Sequence, residues 1–180
     1  NQDEALTLLD NIYVSDINKS ALKQYKSSLQ VFALECWNII LDDKYFNAHI
    51  GTGLLIDVTA EKLEYIPLNR VFDKKIVKKG FDIVATNPPY KNLKAEKGHY
   101  SHEEDYEIDK KKYSSISKIV SKTFKYATVG VLNLYKLFVE EIIDRYANED
   151  AFVSLLIPSS ILSDKTCERL RTHILCDSSL

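Results

Sequence analysis

The chain changes character abruptly at residue 87. Phe81-Asp82-Ile83-Val84-Ala85-Thr86 is a nearly continuous apolar run, and Asn87-Pro88-Pro89-Tyr90 stops it. A run of that length reads as a strand buried on both faces, the habit of strands in parallel sheets. Proline has a fixed φ and donates no backbone N–H, and the residue before it is held extended. The tetrapeptide is therefore stiff. It presents acceptors: the Asn87 side-chain oxygen and the Pro88 carbonyl. Fixed acceptors converging near one point suit a planar –NH2 group, which has a pair of hydrogens to donate. Accepting both draws the amino nitrogen out of conjugation and makes it more nucleophilic. Pro89 keeps the turn rigid, and Tyr90 adds an aromatic face on which a planar ring can stack.

Elsewhere, strand-like and helix-like segments alternate. The end of a helix is predicted over 3–10, a strand over 11–15, and a helix from Lys19 capped by Asn18 or Ser20. Residues 47–58 mix strand-like residues with a Gly51-Thr52-Gly53 turn. After Tyr90, residues 91–125 read as a long, Lys-rich loop with one helical stretch near 114–126. A strongly amphipathic helix is predicted over 131–147, a second buried strand over 151–158 closed by Pro158, and a helix over 164–175. The pattern predicts an α/β fold, a mostly parallel sheet with helices on both faces. Ligands bind such sheets at the carboxyl ends of the strands. Asp16 and Asn87 both fall at such ends.

Composition narrows the class. With 45% hydrophobic and 28% charged residues, the chain is globular rather than disordered. No apolar run is long enough to span a bilayer, and the N-terminus has neither the basic start nor the apolar stretch of a signal peptide. Three Cys with no CxxC pair predict reduced thiols in the cytoplasm. His49, His99, His102 and His173 show no metal-ligand spacing. The absence of Met predicts a piece of a longer product. Charge is uneven: residues 1–73 carry 6 basic and 11 acidic side chains, residues 74–125 carry 13 Lys and 7 acidic, and residues 126–180 carry 5 basic and 8 acidic. A basic middle suits a phosphate-facing region, although its interleaved acids also suit a solvated loop.

FDIVATNPPY resembles motif IV, (D/N/S)PP(Y/F/W), of the S-adenosylmethionine-dependent amino-methyltransferases. NIYVSDIN resembles their motif II, and FNAHIGTGLL resembles the segment written N-I-x-x-G-D-S-L. NLYKLFVEEII followed by AFVSLLIPSSIL resembles the helix and strand after the catalytic loop in DNA adenine-N6 methyltransferases of type II restriction–modification systems, the large type IIG enzymes in particular. The matched segments lie between residues 11 and 175.

The resemblance implies a Rossmann-like methyltransferase fold. Residues 1–180 would form a partial catalytic domain, with the first strand and glycine-rich motif I before Asn1 and a target-recognition domain after Leu180. It implies S-adenosyl-L-methionine as cofactor, with Asp16 on the ribose hydroxyls and Ile17 against the adenine. Thr52 stands where the family usually has Asp, and Asp57 lies too far along to replace it. Asn87, Pro88, Pro89 and Tyr90 would hold an adenine flipped out of double-stranded DNA, and no metal would take part. An endonuclease, fused or separate, is an implied partner. The chain alone is expected to bind cofactor weakly and to leave DNA unmethylated. Competing readings are methylation of a glutamine amide on a protein such as a release factor, methylation of an RNA base amine, and a non-catalytic DNA-binding subunit of the same fold.

Overall fold

The computed structural model describes residues 1–54, 71–72 and 80–177. The chain divides into two compact units, Asn1–Asp57 with Glu64–Lys78, and Val58–Leu63 with Lys79–Leu180.

In the first unit, strand β1 (Tyr13–Asp16) pairs in parallel with β2 (Asn47–Ile50), setting Asp16 opposite Ile50. Helix α1 (Gln2–Asp10) is a helix with its own start, not only a helix end. The Asn1 side chain accepts from the Asp3 and Glu4 backbone, and Glu4 reaches back to complete a capping box. Helix α2 (Lys19–Trp37) begins at Asn18, whose side chain accepts from the Ser20 N–H. It ends where Asn38 turns left-handed at φ 54°. Leu29 and Ala33 of α2 meet Ala5 and Leu9 of α1, with Ile39 and Leu41 closing the core. Burial of Leu9 or Leu29 contributes roughly 1.5–3 kcal/mol. Trp37 packs against this core and meets the Phe32 ring edge-on at 5.2 Å. The Gln30 amide fixes the chain after α2, donating to the Ile39 carbonyl and accepting from the Leu41 N–H.

In the second unit, β3 (Phe81–Thr86) pairs in parallel with β4 (Ala147–Leu155). The register runs from Phe81 opposite Ala147 to Ile83 opposite Phe152, so a bulge lies between. Gly80 enters β3 at φ +83°, and a Cβ there would sit 2.9 Å from the backbone of Tyr146, Ala147 and Asn148. Only glycine meets both conditions. Helix α3 spans Glu103–Thr123. Helix α4 (Leu134–Glu141) runs on into a π-turn, Ile142–Tyr146. A single turn, α5 (Ser160–Ser163), precedes α6 (Glu168–Asp177). Tyr135 and Val139 of α4 pack with Ile161, Cys167 and Leu170, and Leu155 and Ile157 join them from the end of β4.

The class is mixed α/β, as the alternation predicts, but three further expectations change. The described residues form two separate two-stranded parallel sheets rather than one larger sheet. Their strands are not buried on both faces: Ile83 and its partner Phe152 are each 73% exposed, and Leu156 is also exposed. The period of two divides the apolar run, so Leu155 reaches the helices while its neighbours point the other way. The third change is in 91–125, which is largely helix. Only Ile116 and Val120 of α3 are buried, so its sequence carries little apolar periodicity. Asp57 lies outside the described residues. Among the described residues, no helix is long and apolar enough to cross a membrane.

Candidate active site

In the second unit, Asn87-Pro88-Pro89-Tyr90 follows β3 directly. The parallel ladder continues one step past Thr86, whose carbonyl accepts from the Leu156 N–H at 3.0 Å. This places the Leu156 carbonyl beside the turn. The Tyr90 hydroxyl donates to that carbonyl at 2.7 Å and lies 2.9 Å from Asn87 Oδ1. Pro88 is buried, while Asn87, Pro89 and Tyr90 are exposed, Tyr90 to 51%. The Pro88 carbonyl accepts no backbone hydrogen bond among the described residues.

Helix α4 is the shelf behind this turn. The Tyr135 ring is buried and meets the Tyr90 ring edge-on, centroids 6.3 Å apart. Its hydroxyl lies 3.5 Å from the Cys167 sulfur. Burial, and then the contact with Cys167, pushes the Tyr135 phenol up to about 12. The chain leaving Tyr90 is tied to the start of α4. Leu134 N–H donates to the Lys91 carbonyl at 2.9 Å, and Leu93 N–H donates to the Leu132 carbonyl at 2.8 Å. Asn133 works at both ends: its oxygen accepts from the Tyr135 N–H and caps α4, and its Nδ2 donates to Asn92 Oδ1 at 2.7 Å.

Glu140 holds α4 to the end of α3. It is fully buried, and its carboxylate accepts the N–H groups of Lys125, Tyr126 and Ala127 at 2.6, 2.9 and 2.6 Å. Arg145 pairs with buried Glu141 at 2.7 Å and donates to the Thr123 carbonyl at 2.9 Å.

The first unit gathers Asp16, Ile17 and Thr52. Asp16 ends β1, and its carbonyl accepts from the Gly51 N–H at 3.1 Å, which carries the chain past Ile50 to Thr52. Asp16 Oδ1 accepts from the Asn18 N–H at 2.7 Å. The carboxylate is thereby oriented, and Oδ2 takes no protein partner among the described residues. Ile17 is 71% exposed, so it is no core residue. The Thr52 hydroxyl donates to the Leu54 carbonyl at 3.3 Å. An oriented carboxylate, an open apolar surface and a hydroxyl at the carboxyl end of a parallel pair fit a nucleoside, with the carboxylate suited to vicinal ribose hydroxyls. Among the described residues, no three His, Cys, Asp or Glu side chains converge as metal ligands do.

Each of these groups lies wholly within one unit. The sequence does not point to Leu156 or Tyr135 as neighbours of the turn, or to Glu140 as the tie between α4 and the end of α3. Asn133 was findable, as an Asn placed just before an amphipathic run. The family model described as Eco57I restriction-modification methylase matches residues 10–180. No match was found among curated proteins or among solved structures.

Proposed function

The chain belongs to the Eco57I restriction-modification methylase family, and from that membership we propose that it carries the acceptor and cofactor groups for methyl transfer to the N6 amino group of adenine in DNA. The observation that supports this most is the stiff Asn87-Pro88-Pro89-Tyr90 turn at the carboxyl end of β3, whose Pro88 carbonyl accepts no backbone hydrogen bond among the described residues. The paired parallel strands, each with helices packed beside them, fit a Rossmann-like methyltransferase fold.

The target base is flipped out of the duplex, because a stacked adenine cannot bring its amino group to a donor. The Tyr90 ring supplies the stacking face. The Pro88 carbonyl and the Asn87 oxygen accept the two amino hydrogens and point the nitrogen lone pair away from the ring. The Tyr90 hydroxyl has one proton for the two oxygens it approaches. Its shorter bond is to Leu156. A half-turn of the Asn87 carboxamide then lets Nδ2 donate to Tyr90 Oη and leaves the amide oxygen for the substrate. Tyr90 thus works twice, by ring and by hydroxyl.

In the first unit, Asp16 would accept from the ribose hydroxyls of S-adenosylmethionine, Ile17 would cover its adenine, and Thr52 would meet the adenine amino group. When bound, that cofactor supplies a methyl group on a positively charged sulfur, a good leaving group. The residues of this chain act by binding and orienting, which is where most of such a rate enhancement arises.

The test is transfer of tritium from labelled S-adenosylmethionine by the intact protein, using unmethylated DNA, digestion to nucleosides and an Asn87→Ala control. The expected result is label in N6-methyladenine that disappears in the control. Label in a protein glutamine or in RNA, with DNA unlabelled, overturns the acceptor assignment.

A further inference from the structure

Helix α3 divides its charge along its length. Its first two turns hold Glu103, Glu104, Asp105, Glu107 and Asp109. Two of these pair with nearby lysines: Lys97 meets Glu103 at 2.9 Å, and Lys110 meets Glu107 at 2.9 Å. From residue 110 to residue 139 the chain has seven Lys and no Asp or Glu. Lys111, Lys118 and Lys122 are exposed and make no close ion pair among the described residues; Lys111 feels Glu107 one turn back, whose carboxylate is already held by Lys110.

These three fall on one stripe. At about 100° per residue they lie within roughly 40° of one another, on the side of α3 away from buried Ile116 and Val120. The stripe is about 16 Å long. Between them, the Ser115 hydroxyl folds back to the Lys111 carbonyl at 3.0 Å, so nothing tall interrupts the row.

The helix dipole accounts for the acidic first turn and favours Lys122 in the last. Its influence fades within a turn and does not reach Lys111. It also leaves Lys118 and Lys122 one turn apart, where like charges destabilise a helix by about 0.2–0.5 kcal/mol. An anionic partner offsets that cost. Duplex DNA offers one phosphate per about 3.4 Å along each strand, so the stripe faces several at once. The stripe is also fixed to the candidate site. Glu140 grips the chain just after α3, and Tyr135, on the same helix as Glu140, carries the Tyr90 ring.

We infer that Lys111, Lys118 and Lys122 form a contact stripe that α3 lays along a phosphate backbone of duplex DNA. This rests on the DNA methyl-transfer reading above and adds to it a surface for the substrate. The test compares the intact protein with its triple Lys→Gln and triple Lys→Arg variants at these positions. Binding to a fluorescein-labelled duplex is measured across salt concentrations, together with kcat at saturating DNA. Three lost phosphate contacts should reduce the slope of log K against log salt by about 2.7. The Gln variant should bind at least about tenfold more weakly at about 0.1 M salt. The Arg variant should restore both, and kcat should stay unchanged. Lys97→Gln and Lys110→Gln, whose charges are already paired, should change the slope little. An unchanged slope in the triple Gln variant overturns the stripe, while tritium transfer to DNA by the same preparation still upholds the methyl-transfer reading. A reduced slope without DNA methylation by the wild type upholds the stripe and sinks that reading.

Discussion

The Tyr90 hydroxyl separates two jobs that one side chain performs. Phenylalanine keeps the stacking face and loses the link to Leu156 and Asn87. Tyr90→Phe should therefore leave the KM for DNA within about twofold and lower kcat about tenfold, the worth of one net hydrogen bond. Tyr90→Ala should raise KM as well. Equal changes in both parameters for the Phe variant would remove the orienting role. Tyr135, behind it, ties stability to alkaline pH. Its folded phenol is raised to about 12 from the ordinary 10.0, chiefly by burial. Its contribution is complete below pH 10 and is lost as pH rises from 10 towards 12. Urea midpoints measured from pH 8 to 12 should fall less steeply for Tyr135→Phe than for the wild type, and parallel curves would exclude this origin. The turn itself was legible because two prolines after an apolar run restrict the backbone so strongly. The Leu156 carbonyl was not, since a backbone acceptor 66 residues away leaves no mark in the sequence.

Helix α3 shows how an element hides. Most of its side chains face water and only two are buried, so the periodicity that exposes a buried face is faint. The acidic first turn is its signal, and acids interleaved with lysines suit a solvated loop equally well. By contrast α2 was visible from its Asn18 cap and its apolar spacing. The joint between α3 and α4 rests on Glu140. An amide there would set an –NH2 group against backbone N–H groups that now donate to a carboxylate. Glu140→Gln should cost about 3 kcal/mol, seen as a lower urea midpoint with unchanged m-value. A loss below about 0.5 kcal/mol would mean that water or another acceptor takes over.

Across the whole molecule, fold class was easier to read than coverage. Val, Ile and Phe in a short run announce a strand, but the count of apolar residues cannot say which face meets a helix. Ile83, Phe152 and Leu156 make an exposed apolar patch on one face of the β3–β4 pair. Patches of this kind mark association surfaces. The 180-residue chain should bind a hydrophobic dye and self-associate with concentration, and Phe152→Lys should reduce both. Unchanged dye binding in that variant would place the sticky surface elsewhere. Trp37 offers a different kind of access. It is the sole Trp of the chain and belongs to the core of the first unit. Indole emission therefore reports on that unit alone, while far-ultraviolet circular dichroism averages over both. Coincident melting curves from the two signals would mark one cooperative transition, and an early or late emission change would time the unfolding of the Asp16 unit separately from that of the Asn87 unit.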